Sequence, residues 1–356
     1  MDGRDVGHRL LAGLASLCLL AGCAAAASPT PLPASPTPTS VPSTAVATPT
    51  PTPAPATFGP VTVVTGTSRC PGLDFVWTTD AAGTKHVRDD YHADRCTVTT
   101  DDPRVSGSRS STWNLDLWGR LGTSHQLVQW GTQRLENAGG AWEGRATGVA
   151  AFPSSPGDII VNWYRGTGDY AGLAYFELWT GFDPWVIQGQ IFPGDPPPPY
   201  GETATGTERP VDGGPVAEGA LAWVTGTQAC PDVNPNWTTD LDGTMHLRDY
   251  ALECTDTTDD PRVSGTHTAS GSMDLWGTLD HGAGVQWASV RLENDGGAWE
   301  GRAMGVASLP GRGDTIVVWY RGTGDYAGLG YFELITGSFP TYEIQGQIFP
   351  GDPPAP

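Results

Sequence analysis

The sequence predicts an all-β protein: two tandem eight-stranded antiparallel β-barrels behind a Pro/Thr-rich stalk, with β-sandwiches as the alternative architecture. Three observations carry this. Residues 58–195 recur at 217–352, so one unit of about 135 residues is present twice. Within each copy short apolar runs alternate with Gly, Pro, Asp and Asn, and no stretch keeps a helical period. Glycines such as Gly144, Gly148, Gly166 and Gly168 fall in or beside the apolar runs, where glycine marks a bulge or a barrel bend.

In the first copy, strands are expected near 61–67, 84–91, 104–110, 112–118, 126–135, 141–150, 158–165, 172–179 and 185–192. Two of these nine merge into one bent strand if the count is eight, the number that closes a small barrel. Asn137-Ala-Gly-Gly140 and Asn294-Asp-Gly-Gly297 have the composition of hairpin turns. Residues 196–216 open with four prolines and end in a glycine-rich run, which marks them as the linker between copies; 353–356 form a short tail.

The N-terminus reads as an address. Arg4, His8 and Arg9 precede an apolar stretch from Leu10 to Ala21, about half the length that spans a bilayer. It ends in Leu20-Ala21-Gly22-Cys23, which resembles the bacterial lipobox. The resemblance implies a signal peptide over 1–22, cleavage before Cys23 and lipid on its thiol. Residues 24–57 then hold ten prolines and no charged side chain. Such a segment favours extended polyproline II and would lift the folded part off the membrane. The expected location is extracytoplasmic, anchored to the bacterial membrane or envelope through lipid.

Four cysteines remain, one pair per copy: Cys70 with Cys96, and Cys230 with Cys254. In an exported chain this reads as two intradomain disulfides. No Cys-x-x-Cys and no Cys–His cluster has metal-ligand spacing, and no cofactor is called for. The formal net charge of −20 excludes a nucleic-acid partner, because phosphate binding needs clustered Lys and Arg.

Pro103-Arg-Val-Ser-Gly107, Asn137-Ala-Gly-Gly-Ala-Trp-Glu-Gly144 and Gly166-Thr-Gly-Asp-Tyr-Ala-Gly-Leu173 occur in that order and recur in the second copy. In this they resemble the allene oxide cyclase and dirigent type of eight-stranded barrel, in its bacterial branch. The resemblance implies a barrel cavity for an apolar ligand. Its motifs are glycine and turn residues, which report fold rather than chemistry. The catalytic polar residues of the plant cyclases have no counterpart here, so cyclase activity is not carried over.

The candidate ligand-binding residues are Arg134, Trp163, Arg165 and Glu177, with their copies Arg291, Trp319, Arg321 and Glu333. Arg and Trp on a concave wall suit a carboxylate or a sugar. The competing expectation makes each Arg an ion-pair partner, of Glu136 or Glu143 for example, and each Trp a core residue. Glu177 lies in Tyr-Phe-Glu-Leu; if Phe176 and Leu178 face the core, alternation leaves it solvated. His86 and His246 are the only matched histidines, so no repeated His-based metal site or triad is expected. The residues favour a non-enzymatic module that binds a small apolar ligand or a carbohydrate. An enzyme acting on an apolar molecule inside the barrel, cyclase- or isomerase-like, and a structural envelope protein are the alternatives.

Overall fold

A computed structural model describes residues 57–58, 60–72, 74–120, 124–153, 157–198, 219–231, 236–309 and 313–354. The signal peptide, Cys23, nearly all of the stalk and most of the 196–216 linker lie outside these.

The first copy contributes β1 (Thr57–Phe58), β2 (Val61–Arg69), β3 (Thr78–Thr79), β4 (Lys85–Thr100), β5 (Gly107–Arg120), β6 (Ser124–Asn137), β7 (Gly140–Phe152), β8 (Asp158–Gly168), β9 (Leu173–Gly181) and β10 (Trp185–Pro193). The second contributes β11 (Ala222–Ala229), β12 (Thr238–Thr239), β13 (Met245–Thr258), β14 (Gly265–Thr278), β15 (His281–Asn294), β16 (Gly297–Leu309), β17 (Gly313–Gly324), β18 (Leu329–Ser338) and β19 (Thr341–Pro350). All pairings are antiparallel, and each sheet closes on itself. β2 pairs with both β10 and β4, and β11 with both β19 and β13, giving eight strands per ring. Closure removes the sheet edges that would otherwise recruit other chains.

The two runs expected at 104–110 and 112–118 are one strand, β5, preceded by a short 3-10 turn over Pro103–Val105. β4 continues to Thr100, well past the expected end at 91. Its later half carries Cys96, bonded to Cys70; Cys230 and Cys254 pair likewise. Two disulfides place the folded part in an oxidising, non-cytoplasmic location.

The motifs that repeat most faithfully meet at one end of each barrel. Asn137 sits at the β6–β7 hairpin and donates its amide N–H groups to the carbonyls of Pro103, Arg104 and Ser106. Trp142 Nε1 donates to Arg104 O, and Tyr170 Oη donates to Asn137 Oδ1. Trp142 stacks on Tyr170 with centroids 5.1 Å apart. Asn294, Trp299 and Tyr326 repeat every one of these bonds. These residues satisfy loop carbonyls that burial would leave without water.

Alternation splits each barrel into two apolar surfaces. Inward residues of the first barrel, among them Val64, Leu115, Ile160, Tyr164 and Ile187, form its interior core. Outward residues, among them Trp118, Trp130, Val161, Trp163, Phe176 and Leu178, join Val285, Met304, Val317 and Phe332 of the second barrel in another cluster. The two barrels therefore bury their outer walls against each other. Two of the polar contacts across this seam are related by a twofold. Gln190 Nε2 donates to Gly284 O at 3.0 Å, and its counterpart Gln347 donates to Leu127 O at 3.3 Å. Gly284 and Leu127 occupy equivalent positions on β15 and β6, so the contact is isologous, like that of a symmetric dimer.

Candidate functional site

The expected site residues do not converge. Arg134 is exposed and pairs with Glu136 at 3.2 Å and with Glu143. Arg291 does the same with Glu293 and Glu300. Arg165 binds Asp195 at 2.7 Å, and Arg321 binds Asp352 at 2.8 Å, both at the surface. Trp163 and Trp319 point outward into the seam between barrels, where Trp319 Nε1 donates to Thr147 Oγ1 at 3.3 Å. Only Glu177 and Glu333 lie inside the barrels, each 0 % exposed. The solvated alternative for Glu177 is thus overturned. Phe176 and Leu178 do pack in an apolar cluster, but it lies on the outer wall and is shared with the other barrel, which leaves the second face of the strand for the interior.

Each interior glutamate is held by two tyrosines. Tyr164 Oη donates to Glu177 Oε2 at 3.2 Å, and Tyr175 Oη faces Oε1 at 3.4 Å. Tyr320 and Tyr331 repeat this at Glu333, at 2.9 and 3.3 Å. Burial first, then the neighbouring carboxylate, pushes all four phenols well above their usual range, so they stay protonated donors. Tyr164 and Tyr175 lie stacked against the wall because Gly144 and Gly189 lack side chains. A Cβ on Gly144 would come within 2.8 Å of the Tyr164 ring, and one on Gly189 within 2.7 Å of the Tyr175 ring.

Around this shared core the two interiors differ. In the first barrel Arg109, 0 % exposed, donates from Nη2 to both oxygens of Glu177 at 3.0 and 2.9 Å. Burial works against the guanidinium charge, but Glu177 overrides it and holds Arg109 protonated above its ordinary range. The guanidinium also lies 4.2 Å from the centre of the Trp179 ring.

Above the pair is a cavity of about 220 Å³. Trp77, Trp113, Trp179 and Trp185 wall it, and Gln129, Gln133 and Asp158 reach into it. Among the described residues, several polar atoms here have no protein partner. They are both ends of the Gln133 amide, Trp179 Nε1 and His125 Nδ1. Deeper in, Arg109 Nε and Nη1 and both ends of the Asn162 amide are in the same state; Asn162 faces the interior beside its cross-strand partner Glu177. Asp158 accepts from Trp185 Nε1 at 2.9 Å and sits near Gln129 Nε2 at 3.5 Å. Burial raises its pKa to about 6, against the opposing pull of those bonds.

The second barrel replaces most of these groups. Gln133, Asn162 and Trp179 become Val290, Val318 and Ile335. Its cavity is smaller, about 60 Å³, and touches His267, Gln228 and Tyr342. Arg109 becomes His267, Val98 becomes Asp256 and Ser68 becomes Gln228. Asp256, His267 and Glu333 are all buried and offer ligand atoms within 4.8 Å of one another. Burial, and then Asp256, pushes Glu333 up to about 8; His267 and the two tyrosines pull the other way. Asp314, the counterpart of Asp158, accepts from Tyr342 Oη at 2.9 Å and is raised by burial to about 6.

The matched histidines serve the hairpins. His86 bridges Asp116 at 2.7 Å and Asp80 at 3.2 Å, and His246 bridges Asp274 and Asp240 at 2.6 and 3.0 Å. Asp80 and Asp240 also accept from Thr84 and Thr244 N–H, which closes the turn. In Asp240-Leu-Asp242 the second carboxylate also accepts from Thr244, so it belongs to the same turn.

Sequence reasoning missed Arg109, Gln133, Asn162, Asp256 and His267. The signal in the sequence was only that these are polar residues within apolar strands. It was masked because the comparison between copies selected residues that match, and these do not. Compared with known proteins, the chain matches no family model, no curated protein and no solved structure.

Proposed function

We propose that this chain is a lipid-anchored extracytoplasmic binding protein whose first barrel holds a small carbohydrate. The observation that carries the reading is the set of partnerless polar atoms in a tryptophan-walled cavity. A buried donor or acceptor without a partner costs about 1–3 kcal/mol, so these atoms call for an occupant that hydrogen-bonds. In the cavity Gln133 offers both a donor and an acceptor, Trp179 Nε1 a donor, and His125 Nδ1 one more polar atom. A sugar presents hydroxyls that both donate and accept, and C–H faces that lie on indole rings. A purely apolar ligand, which the family resemblance suggests, would leave every one of these atoms unsatisfied. The lipobox-like Leu20-Ala21-Gly22-Cys23 and the uncharged stalk support display at a membrane surface.

The test is titration of the mature chain with a panel of monosaccharides, followed by tryptophan fluorescence and calorimetry. Gln133→Val copies the residue of the second barrel and should fold. It is expected to weaken binding roughly 5- to 100-fold, the value of one buried polar contact. Saturable binding that Gln133→Val leaves intact, or no binding of any sugar, would overturn the reading. Anchoring is tested separately: labelled fatty acid should enter the wild type and not Cys23→Ser.

A further inference from the structure

We propose that the second barrel encloses a divalent metal ion, zinc by preference, held by Asp256, His267 and Glu333. The first barrel carries its own cation beside the Tyr–Tyr–Glu core, the Arg109 guanidinium, and its charge cancels that of Glu177. The second barrel has lost that cation and gained a carboxylate. Val98 and Ser68 face each other across β2 and β4; Asp256 and Gln228 replace both, on the equivalent cross-strand pair. Two carboxylates now share a buried space with an imidazole in place of the guanidinium. Buried charge must be matched. One divalent ion bound by a neutral imidazole restores the balance that Arg109 gives the first barrel.

The hydrogen bonds point the same way. His267 Nδ1 stands 2.7 Å from Gln228 Nε2, a donor, and 3.0 Å from Asp256 Oδ2, an acceptor. A protonated Nδ1 serves Asp256 and opposes the amide; a bare Nδ1 does the reverse. Turning the Gln228 amide over moves the conflict to Asp256 Oδ1, which accepts from Nε2 at 3.0 Å. A metal on Nδ1 relieves the repulsion between that lone pair and Asp256 Oδ2, and leaves the Gln228 amide to donate to Asp256 Oδ1. Tyr320 and Tyr331 then serve as the outer hydrogen bonds that orient Glu333, and Gln228 does so for Asp256.

Three ligands of one nitrogen and two oxygens suit zinc, with a water as the fourth. Ligand atoms on zinc stand about 3.5 Å apart. The present separations, within 4.8 Å, close by small rotations of the two carboxylates. The 60 Å³ cavity reaches His267 and Gln228, which gives room for the water.

The test uses tag-free mature chain, stripped with a chelator and dialysed against zinc, with magnesium and calcium as comparators. Metal is counted by mass spectrometry, and Tm is followed by calorimetry. About one zinc per chain should remain, and Tm should rise by roughly 5–10 °C at a hundredfold excess over Kd. Glu333→Gln keeps the shape and should lose the zinc. A second variant, Gln228→Ser with Asp256→Val and His267→Arg, installs the first barrel's own folded arrangement; it should bind no zinc and show no Tm response. Zinc uptake equal to wild type in the triple variant would assign the ion to surface groups such as Asp240, His246 and Asp274 and overturn the proposal. Absence of uptake by the wild type would also overturn it, with protons balancing the cluster instead.

Discussion

Removing either member of the Arg109–Glu177 pair should be among the most destabilising changes available to the first barrel. Both side chains are 0 % exposed, and the guanidinium makes two hydrogen bonds to one carboxylate. At a separation near 4 Å between charge centres and an effective dielectric constant near 20, the attraction is about 4 kcal/mol. Loss of one partner forfeits that and leaves a charge buried alone, for a cost of roughly 3–5 kcal/mol. Glu177→Gln is the cleanest perturbation, since it keeps the shape; its amide oxygen still accepts from one tyrosine, and its NH2 donates to the hydroxyl of the other. Arg109→Met removes the charge with an unbranched side chain. Each single variant should lower Tm by about 10 °C. The double variant should cost less than the sum of the two, by about 2 kcal/mol or more, because no lone charge remains. Urea denaturation followed by fluorescence measures all four corners of the cycle. Single variants within about 0.5 kcal/mol of wild type would match a solvated surface pair instead, as would strict additivity. Either result would refute the inward placement of β9.

Three further outcomes are expected. Asp158 and Asp314 titrate near 6 in the folded chain against 3.8 as free groups, so each destabilises the fold by about 3 kcal/mol at pH 8. Because the folded pKa is raised, this penalty is absent below the free value of 3.8, grows as pH rises from there to about 6, and is complete above that. The Tm of Asp158→Asn with Asp314→Asn, relative to wild type, should therefore be higher at pH 8 than at pH 5; parallel curves would contradict the burial. Replacing Cys70 and Cys96 by Ser opens a loop of 26 residues and should cost roughly 3–4 kcal/mol, with peptide mapping of the parent showing no link to Cys230 or Cys254. Gln190→Ala removes two bonds across the seam and Gln347→Ala one, at about 1 kcal/mol apiece, and together they should let the barrels part enough to raise dye binding at the apolar wall. Unchanged dye binding with lowered stability would place the role of these glutamines within each barrel.

The fold was legible because turn chemistry and alternation are local. Asn137-Ala-Gly-Gly140 does form a tight hairpin, and the strands begin close to where the apolar runs begin. β5 read as two strands because Pro103-Arg-Val adds apolar character ahead of Gly107, whereas these residues form the 3-10 turn. The extent of β4 was hidden because residues 89–97 are mostly polar, and cross-strand pairing with β5 holds them in place. Which face of a strand points inward was not legible at all. Phe176 and Leu178 alternate with Tyr175, Glu177 and Trp179, and both rows are apolar enough to be a core. An isolated barrel has one buried face; a barrel packed against its twin has two. The period of two survives, but its usual assignment of inside and outside does not.

That second buried face also explains how the copies came to differ. Residues of the Asn137–Trp142–Tyr170 end, and large apolar residues of the seam such as Trp163 and Phe176, answer to the fold and to the partner barrel, and they match between copies. The middle of each interior answers to neither. There Gln133, Asn162 and Trp179 give way to Val290, Val318 and Ile335, while Arg109 gives way to His267 with Asp256 beside it. A substitution that buries a carboxylate against Glu333 is destabilising by itself, so it persists only where something offsets it. The residues worth testing for function are thus those in which the copies disagree: partnerless amides and indoles in the first barrel, and paired carboxylates about an imidazole in the second.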